Sequence, residues 1–298
     1  MNLHGIFPPV TAPFAADGSL ALEHLSSNIA RYNKTRLAGF VANGSTGESV
    51  LLTWPEIERI WATVRDAASL DKTLIAGTGA ESTLETIEHT NRAAALGYHA
   101  ALVRTPSYYR PQMTLEAEAA HFLRVADAAK IPVLIYSVPI FTGYTVEAPL
   151  VARLAAHPNI IGMKDSSGDV AGVAKIIAAA PRNFQTLVGS AKTLYASLEK
   201  GAIGAILAVA CALPELCVDL YEAARSGRLA RAQQLQEALE PFSAVASSRG
   251  IAALKYALDK LGYYGGLARL PLLPPDETAK REVDDALARA SAVTSPAS

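Results

Sequence analysis

The sequence predicts an α/β fold, a (β/α)8 TIM barrel with a C-terminal helical extension. Short apolar segments alternate with stretches of helical periodicity, and they recur about every 30 residues, the length of a βα unit. Most of these segments lack a strict alternation of polar and apolar residues, as expected for strands of a parallel sheet covered by helices. Eight such units followed by purely helical sequence indicate a closed barrel and an extension.

The predicted strands are short apolar segments, each followed by polar or glycine-rich sequence. They are residues 5–10, 39–42, 73–76, 100–103, 132–136, 160–163, 185–188 and 202–208. In a barrel of this kind the loops at the carboxyl ends of the strands form the active face, so the residues that follow each strand are the candidates for chemistry.

Start signals mark the helices between the strands. Thr53 precedes Glu56 at capping-box spacing with Pro55 between them, and Ser82 and Glu85 repeat this spacing. Further helices are predicted at residues 115–129, 150–156, 170–180, 193–200 and 214–225.

Only helical periodicity appears from Leu229 onward, and we expect breaks at Pro241, at residues 262–266 and at residues 271–275. We therefore predict a catalytic barrel over residues 1–226 and a helical region over residues 227–298. Residues 291–298 are expected to fray.

Composition narrows the classes of function. The chain of 298 residues carries 27 Lys and Arg against 28 Asp and Glu, a formal net charge of −1 that argues against a nucleic-acid partner. Half of the residues are apolar, which permits a large core. Cys211 and Cys217 fit neither a disulfide framework nor a zinc pattern, so we expect two reduced packing thiols.

The sequence also bears on location. Residues 1–9 have neither a charged leader nor a long apolar stretch, and the longest apolar run, residues 201–213, is shorter than the roughly 20 residues that cross a bilayer. We therefore expect a cytoplasmic protein without a membrane partner.

Lys164 is the sharpest functional candidate. It ends the sixth predicted strand after an apolar run, where an isolated ammonium is costly to bury. Burial favours the neutral amine, and a neutral amine attacks a carbonyl carbon. The structural alternative is an ion pair with Asp165 or Asp169.

Two further clusters carry phenols. Tyr136 ends the fifth predicted strand, where it is either a core residue or a proton shuttle beside a nucleophilic lysine. Tyr108 and Tyr109 follow the fourth strand, where they either form a subunit contact or add a phenol to a proton relay.

The segment GSTGE, residues 44–48, follows the second strand. Its consecutive N–H groups and hydroxyls could hold a small carboxylate. An ordinary tight turn is the alternative. A nucleotide-binding loop is excluded because the lysine and the longer spacing of that motif are missing.

These clusters occur in an order that resembles the dihydrodipicolinate synthase and N-acetylneuraminate lyase family of class I aldolases, across about residues 1–290. The resemblance is carried by GSTGES at 44–49, TPSYYRP at 105–111, YSVP at 136–139 and GMKDSSGD at 162–169. It implies a homotetramer built from tight dimers, a pyruvate-derived substrate, no metal and no organic cofactor.

The resemblance also implies roles for individual residues. Lys164 matches the lysine that forms a Schiff base with pyruvate, and Tyr136 matches the proton-shuttling tyrosine. Ser45 and Thr46 match the pair that binds the pyruvate carboxylate, with Ser45 also in the hydroxyl relay. Tyr108 matches the tyrosine that crosses from a neighbouring subunit in the synthases. The remaining matched positions line the pyruvate pocket: Gly189 and Ile206.

The aldehyde partner is less constrained. In the synthases an arginine two residues beyond the YxVP motif holds the distal carboxylate of the aldehyde, whereas Phe141 stands there in this chain. Sialic acid lyases carry acidic residues after the glycine of strand seven, whereas Ser190 follows Gly189 here. Ser166 matches a pocket serine of the family's 4-hydroxy-2-oxoglutarate aldolases, which also share the GYYGG run at 262–266.

The leading hypothesis is therefore a carbon–carbon lyase that cleaves 4-hydroxy-2-oxoglutarate to pyruvate and glyoxylate. The alternatives are a dihydrodipicolinate synthase that condenses pyruvate with aspartate semialdehyde, an aldolase for another 2-keto-3-deoxy acid, and a barrel that binds a metabolite without turning it over.

Overall fold

The computed structural model describes residues 1–294, and within them eight strands form one sheet. The strands are β1 (Gly5–Phe7), β2 (Gly39–Ala42), β3 (Thr73–Gly77), β4 (Ala100–Arg104), β5 (Val133–Ser137), β6 (Ile160–Asp165), β7 (Gln185–Val188) and β8 (Gly204–Ile206). Every predicted strand is present, and the largest differences are at β1 and β8, which are shorter than predicted.

The strand order identifies the fold as a (β/α)8 TIM barrel. The sheet runs β1-β8-β7-β6-β5-β4-β3-β2, and each strand from β3 to β7 pairs in parallel with the strand that follows it in the chain. Val10 N donates to Val41 O at 2.9 Å and Val41 N donates to Pro8 O at 3.0 Å, so the chain leaving β1 also lies beside β2. The predicted fold class is confirmed.

Helices separate the strands and continue beyond the last one. They are α1 (Leu22–Tyr32), α2 (Trp54–Ala67), α3 (Thr83–Ala95), α4 (Leu115–Ala128), α5 (Pro139–Thr142), α6 (Ala148–Leu154), α7 (Val170–Ala179), α8 (Leu194–Glu199), α9 (Pro214–Arg225), α10 (Leu229–Lys260) and α11 (Glu277–Thr294). The predicted capping box of Thr53 and Glu56 starts α2, and the Ser82 hydroxyl caps α3.

The chain divides into two compact units. The first comprises Met1–His4 and Thr73–Ala205, and its core lies between the sheet and the helices α4, α6 and α7. Apolar residues on β4, β5 and β6 supply the sheet side of this core. Because these strands are covered by helices, nearly all of their residues are buried and the few polar ones stand out.

Among the described residues, the second unit comprises 5–72 and 206–294, and it contains α1, α2 and α9 to α11. Trp61 and Phe242 are fully buried in it. The Tyr32 hydroxyl donates to Cys211 O at 2.7 Å. Cys211 and Cys217 are buried free thiols, as predicted, and burial raises the pKa of Cys217 well above its usual value.

The predicted helix break at Pro241 is wrong. Helix α10 continues through Pro241, and the interruption lies at Gly250, whose φ of +73° and ψ of −161° are not helical. Proline removes one N–H donor and fixes φ at a helical value, whereas glycine reaches the left-handed region without a steric cost. The predicted breaks at residues 262–266 and 271–275 lie outside helices, as expected.

The prediction for the chain end is partly wrong. Helix α11 runs to Thr294, so residues 291–294 are helical and not frayed, and residues 295–298 lie outside the described residues. The division at residues 226 and 227 stays a prediction. Across the described chain, none of the helices combines the length and apolar character that a membrane crossing needs.

A buried ion pair joins the GSTGE segment to the C-terminal helices of the second unit. Lys255 Nζ lies 2.5 Å from Glu48 Oε1, and both side chains are completely buried. Arg269 N donates to Glu48 Oε2 at 2.7 Å, and Lys255 Nζ donates to Leu267 O at 2.7 Å. Burial lowers the pKa of Lys255, and Glu48 opposes that shift.

Removing one partner of this pair leaves the other charge buried. We expect Lys255→Met to lower the free energy of unfolding by about 3–5 kcal/mol, because the Glu48 carboxylate then lacks its cation. Urea denaturation checks this, with Lys280→Met as the matched control because its partner Glu277 is exposed. Equal stability of Lys255→Met and the wild type would contradict a structural role for the pair.

Candidate active site

Lys164 and Tyr136 are brought together by the register of two neighbouring strands. Lys164 on β6 pairs directly with Tyr136 on β5, so their side chains leave the sheet at the same level. Both are buried, at 6% and 5% exposure. The Lys164 Nζ lies 4.2 Å from the centroid of the Tyr136 ring, within the range of a cation–π contact.

The carboxylates that could pair with Lys164 are engaged by other residues. Asp165 accepts hydrogen bonds from the N–H and hydroxyl of Ser167, and Asp169 accepts from Ala171 N at 3.0 Å as the N-cap of α7. Burial raises the pKa of Asp165, although the Ser167 hydrogen bonds oppose that shift. The ion-pair alternative for Lys164 therefore gains no support from these contacts.

Gly189 has no side chain and so leaves room for the side chains of Lys164 and Ser166. It follows β7, and its N–H donates to Asp165 O at 2.6 Å. A Cβ on Gly189 would lie 1.9 Å from Ser166 Oγ and 2.9 Å from Lys164 Cε, closer than such atoms approach in proteins. Gly189 therefore packs against both Ser166 and Lys164, and only glycine fits at position 189 without displacing them.

Tyr108 lies at the surface. Its side chain is 80% exposed and meets Tyr109 edge-on, with ring centroids 5.1 Å apart. Its backbone is fixed by Glu81, which accepts from Tyr108 N at 2.9 Å, Ser107 N at 2.8 Å and Arg104 Nη1 at 2.7 Å. Burial alone would raise the pKa of Glu81, but the hydrogen bonds from Tyr108, Arg104 and Ser107 hold it below its usual value.

Tyr144 ties the loop after β4 to the segment after β5. Its hydroxyl donates a short hydrogen bond to Pro106 O, and burial raises its pKa to about 12. The segment itself contains α5, which is capped at its carboxyl end by Gly143 in the left-handed conformation. Phe141 lies on α5 and is 65% exposed.

A buried acid on α4 also acts on Tyr144. Glu118 is 6% exposed, and its Oε2 makes no hydrogen bond to any residue that the structure describes. Burial raises the pKa of Glu118 to about 7, and its charge raises the pKa of Tyr144.

Glu81, Tyr144 and Glu118 were not among the residues predicted from the sequence. Glu81 offered a signal, since it follows β3 at the carboxyl edge of the sheet. Tyr144 and Glu118 offered none, because the contact of Tyr144 with Pro106 and the effect of Glu118 on Tyr144 exist only in the folded chain.

In the second unit, Ser45 and Thr46 lie on a short 3₁₀ helix, Ser45–Gly47, directly after β2. Both are half-buried. The flanking Asn43 and Glu48 have positive φ values of 60° and 57°, which are uncommon for residues other than glycine. Such conformations persist only where surrounding contacts enforce them, as the buried pair of Glu48 and Lys255 does here.

Ile206, the other predicted pocket residue of this unit, ends β8 and is completely buried. Within residues 1–294, no group of three or more His, Cys, Asp or Glu side chains is arranged to hold a metal ion.

Comparison with known proteins decides the family. The model of the dihydrodipicolinate synthetase family matches residues 2–290. The chain belongs to this family. It is accordingly a carbon–carbon lyase of the class I pyruvate aldolase type.

Two curated relatives carry different names. A 4-hydroxy-tetrahydrodipicolinate synthase from Methanothrix thermoacetophila is 36% identical over 292 residues, covering 97% of this chain and 98% of the relative. A probable mitochondrial 4-hydroxy-2-oxoglutarate aldolase from Emericella nidulans is 35% identical over 276 residues, covering 91% and 89%.

A solved structure extends the likeness to the whole backbone. Dihydrodipicolinate synthase from Acinetobacter baumannii, crystallised in complex with pyruvate, superposes with a TM-score of 0.93 at 29% identity. The alignment covers 97% of this chain and 99% of that one.

The space at position 189 can be tested in this family member. We expect Gly189→Ala to reduce the fraction of chain trapped by borohydride in the presence of pyruvate by about 10-fold or more, because the new methyl displaces Lys164 Cε and Ser166 Oγ. Mass spectrometry measures the trapped fraction. Gly18→Ala is the control for glycine replacement as such, since a Cβ there meets nothing within 4 Å and only the strain of its φ of +82° is added. Wild-type trapping by Gly189→Ala would show that the contact is unimportant.

Proposed function

We propose that this protein is a Schiff-base-forming aldolase that cleaves 4-hydroxy-2-oxoglutarate to pyruvate and glyoxylate. The observation that carries the proposal is the buried contact of Lys164 with Tyr136, which sets an amine beside a phenol in a largely dry setting. Imine chemistry on a 2-oxo acid needs an amine nucleophile and a group that transfers protons, and a phenol can be the second group.

The proposed reaction starts at the 2-oxo group. The Lys164 amine attacks the carbonyl carbon, water leaves, and an iminium forms that withdraws electrons from the neighbouring carbon. Loss of the proton from the 4-hydroxyl then breaks the C3–C4 bond, whose electron pair passes into the iminium to give an enamine. Glyoxylate departs, the enamine is protonated at carbon, and hydrolysis of the iminium releases pyruvate.

The other predicted residues receive roles in the same proposal. Tyr136 transfers protons during carbinolamine formation and bond cleavage, and Ser45 joins that relay. Ser45 and Thr46 bind the carboxylate of the pyruvate half. Gly189, Ser166 and Ile206 shape its pocket, and the close packing of Gly189 against Ser166 supports this assignment.

Tyr108 acts in a neighbouring subunit of a homotetramer in this proposal. Its 80% exposure leaves the phenol available to a partner chain. A monomer with full activity, measured by sedimentation and turnover at the same concentration, would contradict this role.

We propose the cytoplasm as the location.

Condensation of pyruvate with aspartate semialdehyde is the second candidate function. The 36% identical relative from Methanothrix thermoacetophila, which is named a synthase, favours it. Phe141 opposes it, since an exposed phenyl ring offers no hydrogen-bond donor to the distal carboxylate of the semialdehyde.

The catalytic pair is tested by substitution. Lys164→Ala should abolish pyruvate release from 4-hydroxy-2-oxoglutarate, and Tyr136→Phe should slow it on the order of 100-fold because the general acid–base is lost. A coupled lactate dehydrogenase assay measures both rates. Normal turnover by Tyr136→Phe would reduce this residue to a packing role.

The substrate is tested by comparing the two reactions. We expect a higher kcat/KM for 4-hydroxy-2-oxoglutarate cleavage than for condensation with aspartate semialdehyde. Phe141→Arg should improve use of the semialdehyde about 10-fold, because a guanidinium then reaches its carboxylate. Unchanged use of the semialdehyde would show that position 141 does not decide the substrate.

A further inference from the structure

The proposed substrate carries a second carboxylate, on the half that leaves as glyoxylate. A carboxylate in a partly desolvated site needs a cation or several donors, and a guanidinium is the side chain whose geometry matches it best. Phe141 supplies neither. The group that binds this carboxylate must therefore lie elsewhere at the carboxyl ends of the strands.

Four cations of the first unit lie at or beyond the carboxyl ends of β4, β6 and β7. Lys164 is the proposed nucleophile, and Arg104 is paired with Glu81 at 2.7 Å. Two remain: Arg110 in the loop after β4 and Lys192 after β7. Neither Arg110 nor Lys192 makes an ion pair or side-chain hydrogen bond with any of residues 1–294.

Arg110 is held beside the segment that carries Phe141. Its guanidinium packs on Gly143, where a Cβ would lie 2.6 Å from Nη1, 3.0 Å from Cζ and 3.2 Å from Nε. Gly143 has a φ of +80° and caps α5, two residues after Phe141. Glycine at position 143 therefore permits the left-handed turn and also leaves room for the Arg110 guanidinium.

The loop that bears Arg110 is anchored at two points. Glu81 accepts from Ser107 N and Tyr108 N, and Tyr144 donates to Pro106 O. The Glu81 contacts hold the loop against the segment after β3, and the Tyr144 contact holds it against the segment after β5, the strand that carries Tyr136. The arginine fork is thus positioned by backbone contacts without using its own donors.

We propose that Arg110 binds the carboxylate of the aldehyde half and restricts this enzyme to aldehydes that are themselves carboxylic acids. This inference rests on the proposed function and adds the class of aldehyde to it. Lys192 is the rival cation. We favour Arg110 because its head group packs on Gly143, two residues after Phe141, whereas none of the described glycines has Lys192 among its nearest neighbours.

Two substrates that differ only in the second carboxylate test the proposal. Cleavage of 4-hydroxy-2-oxoglutarate gives glyoxylate, and cleavage of 4-hydroxy-2-oxopentanoate gives acetaldehyde, with pyruvate released from both. We expect Arg110→Ala to lower kcat/KM for the first substrate about 10- to 100-fold, as loss of a charge-assisted contact predicts, and to leave the second within about twofold. Arg110→Lys should fall between the wild type and Arg110→Ala.

Lys192→Ala is the matched control and should preserve the preference for 4-hydroxy-2-oxoglutarate. Arg110→Ala would overturn the proposal if it lost kcat/KM equally on both substrates, or if it kept the wild-type preference for 4-hydroxy-2-oxoglutarate. Loss of that preference in Lys192→Ala would overturn it as well. Borohydride trapping with pyruvate separates this inference from the proposed function. If the wild-type protein is trapped normally but Arg110→Ala keeps the wild-type preference, only the inference about Arg110 fails. If the wild-type protein is not trapped, the proposed function fails as well.

Discussion

The site depends on the parallel register of β5 and β6, which sets Tyr136 directly opposite Lys164. Parallel pairing gives each residue a fixed neighbour, so a shift of one residue would turn one of the two side chains to the other face of the sheet. Both side chains are buried, and both belong to one compact unit whose core is formed by the same strands. Packing energy that stabilises the strands therefore also fixes the distance between the amine and the phenol.

The loops are shaped by glycines at close contacts and by residues in the left-handed conformation. Gly189 leaves room for Ser166 and Lys164, and Gly143 leaves room for the Arg110 guanidinium. In the second unit, the left-handed residues Asn43 and Glu48 flank the short helix that presents Ser45. Position 48 is glutamate and not glycine because its carboxylate pairs with Lys255 in the core.

The sequence predicted the strands, the fold class and the placement of Lys164 well, because these follow from local periodicity and from the end of an apolar run. It placed the interruption of α10 at Pro241, although the chain changes direction at Gly250, since the choice between them depends on tertiary contacts. Tyr144 and Glu118 were missed for the same reason. Tyr144 contacts Pro106, 38 residues away in the sequence, and Glu118 raises the pKa of Tyr144 only in the folded chain, so no local pattern encodes either residue. Glu81 was missed although its position after β3 was a signal.

The central claim is that the amine of Lys164 reacts covalently with a 2-oxo acid. The most direct measurement is to incubate the wild-type protein with pyruvate and borohydride, digest it, and locate the modified peptide by mass spectrometry. A single reduced pyruvate adduct on Lys164 is the predicted result. An unmodified Lys164 after exhaustive reduction, or an adduct on another lysine, would contradict the account.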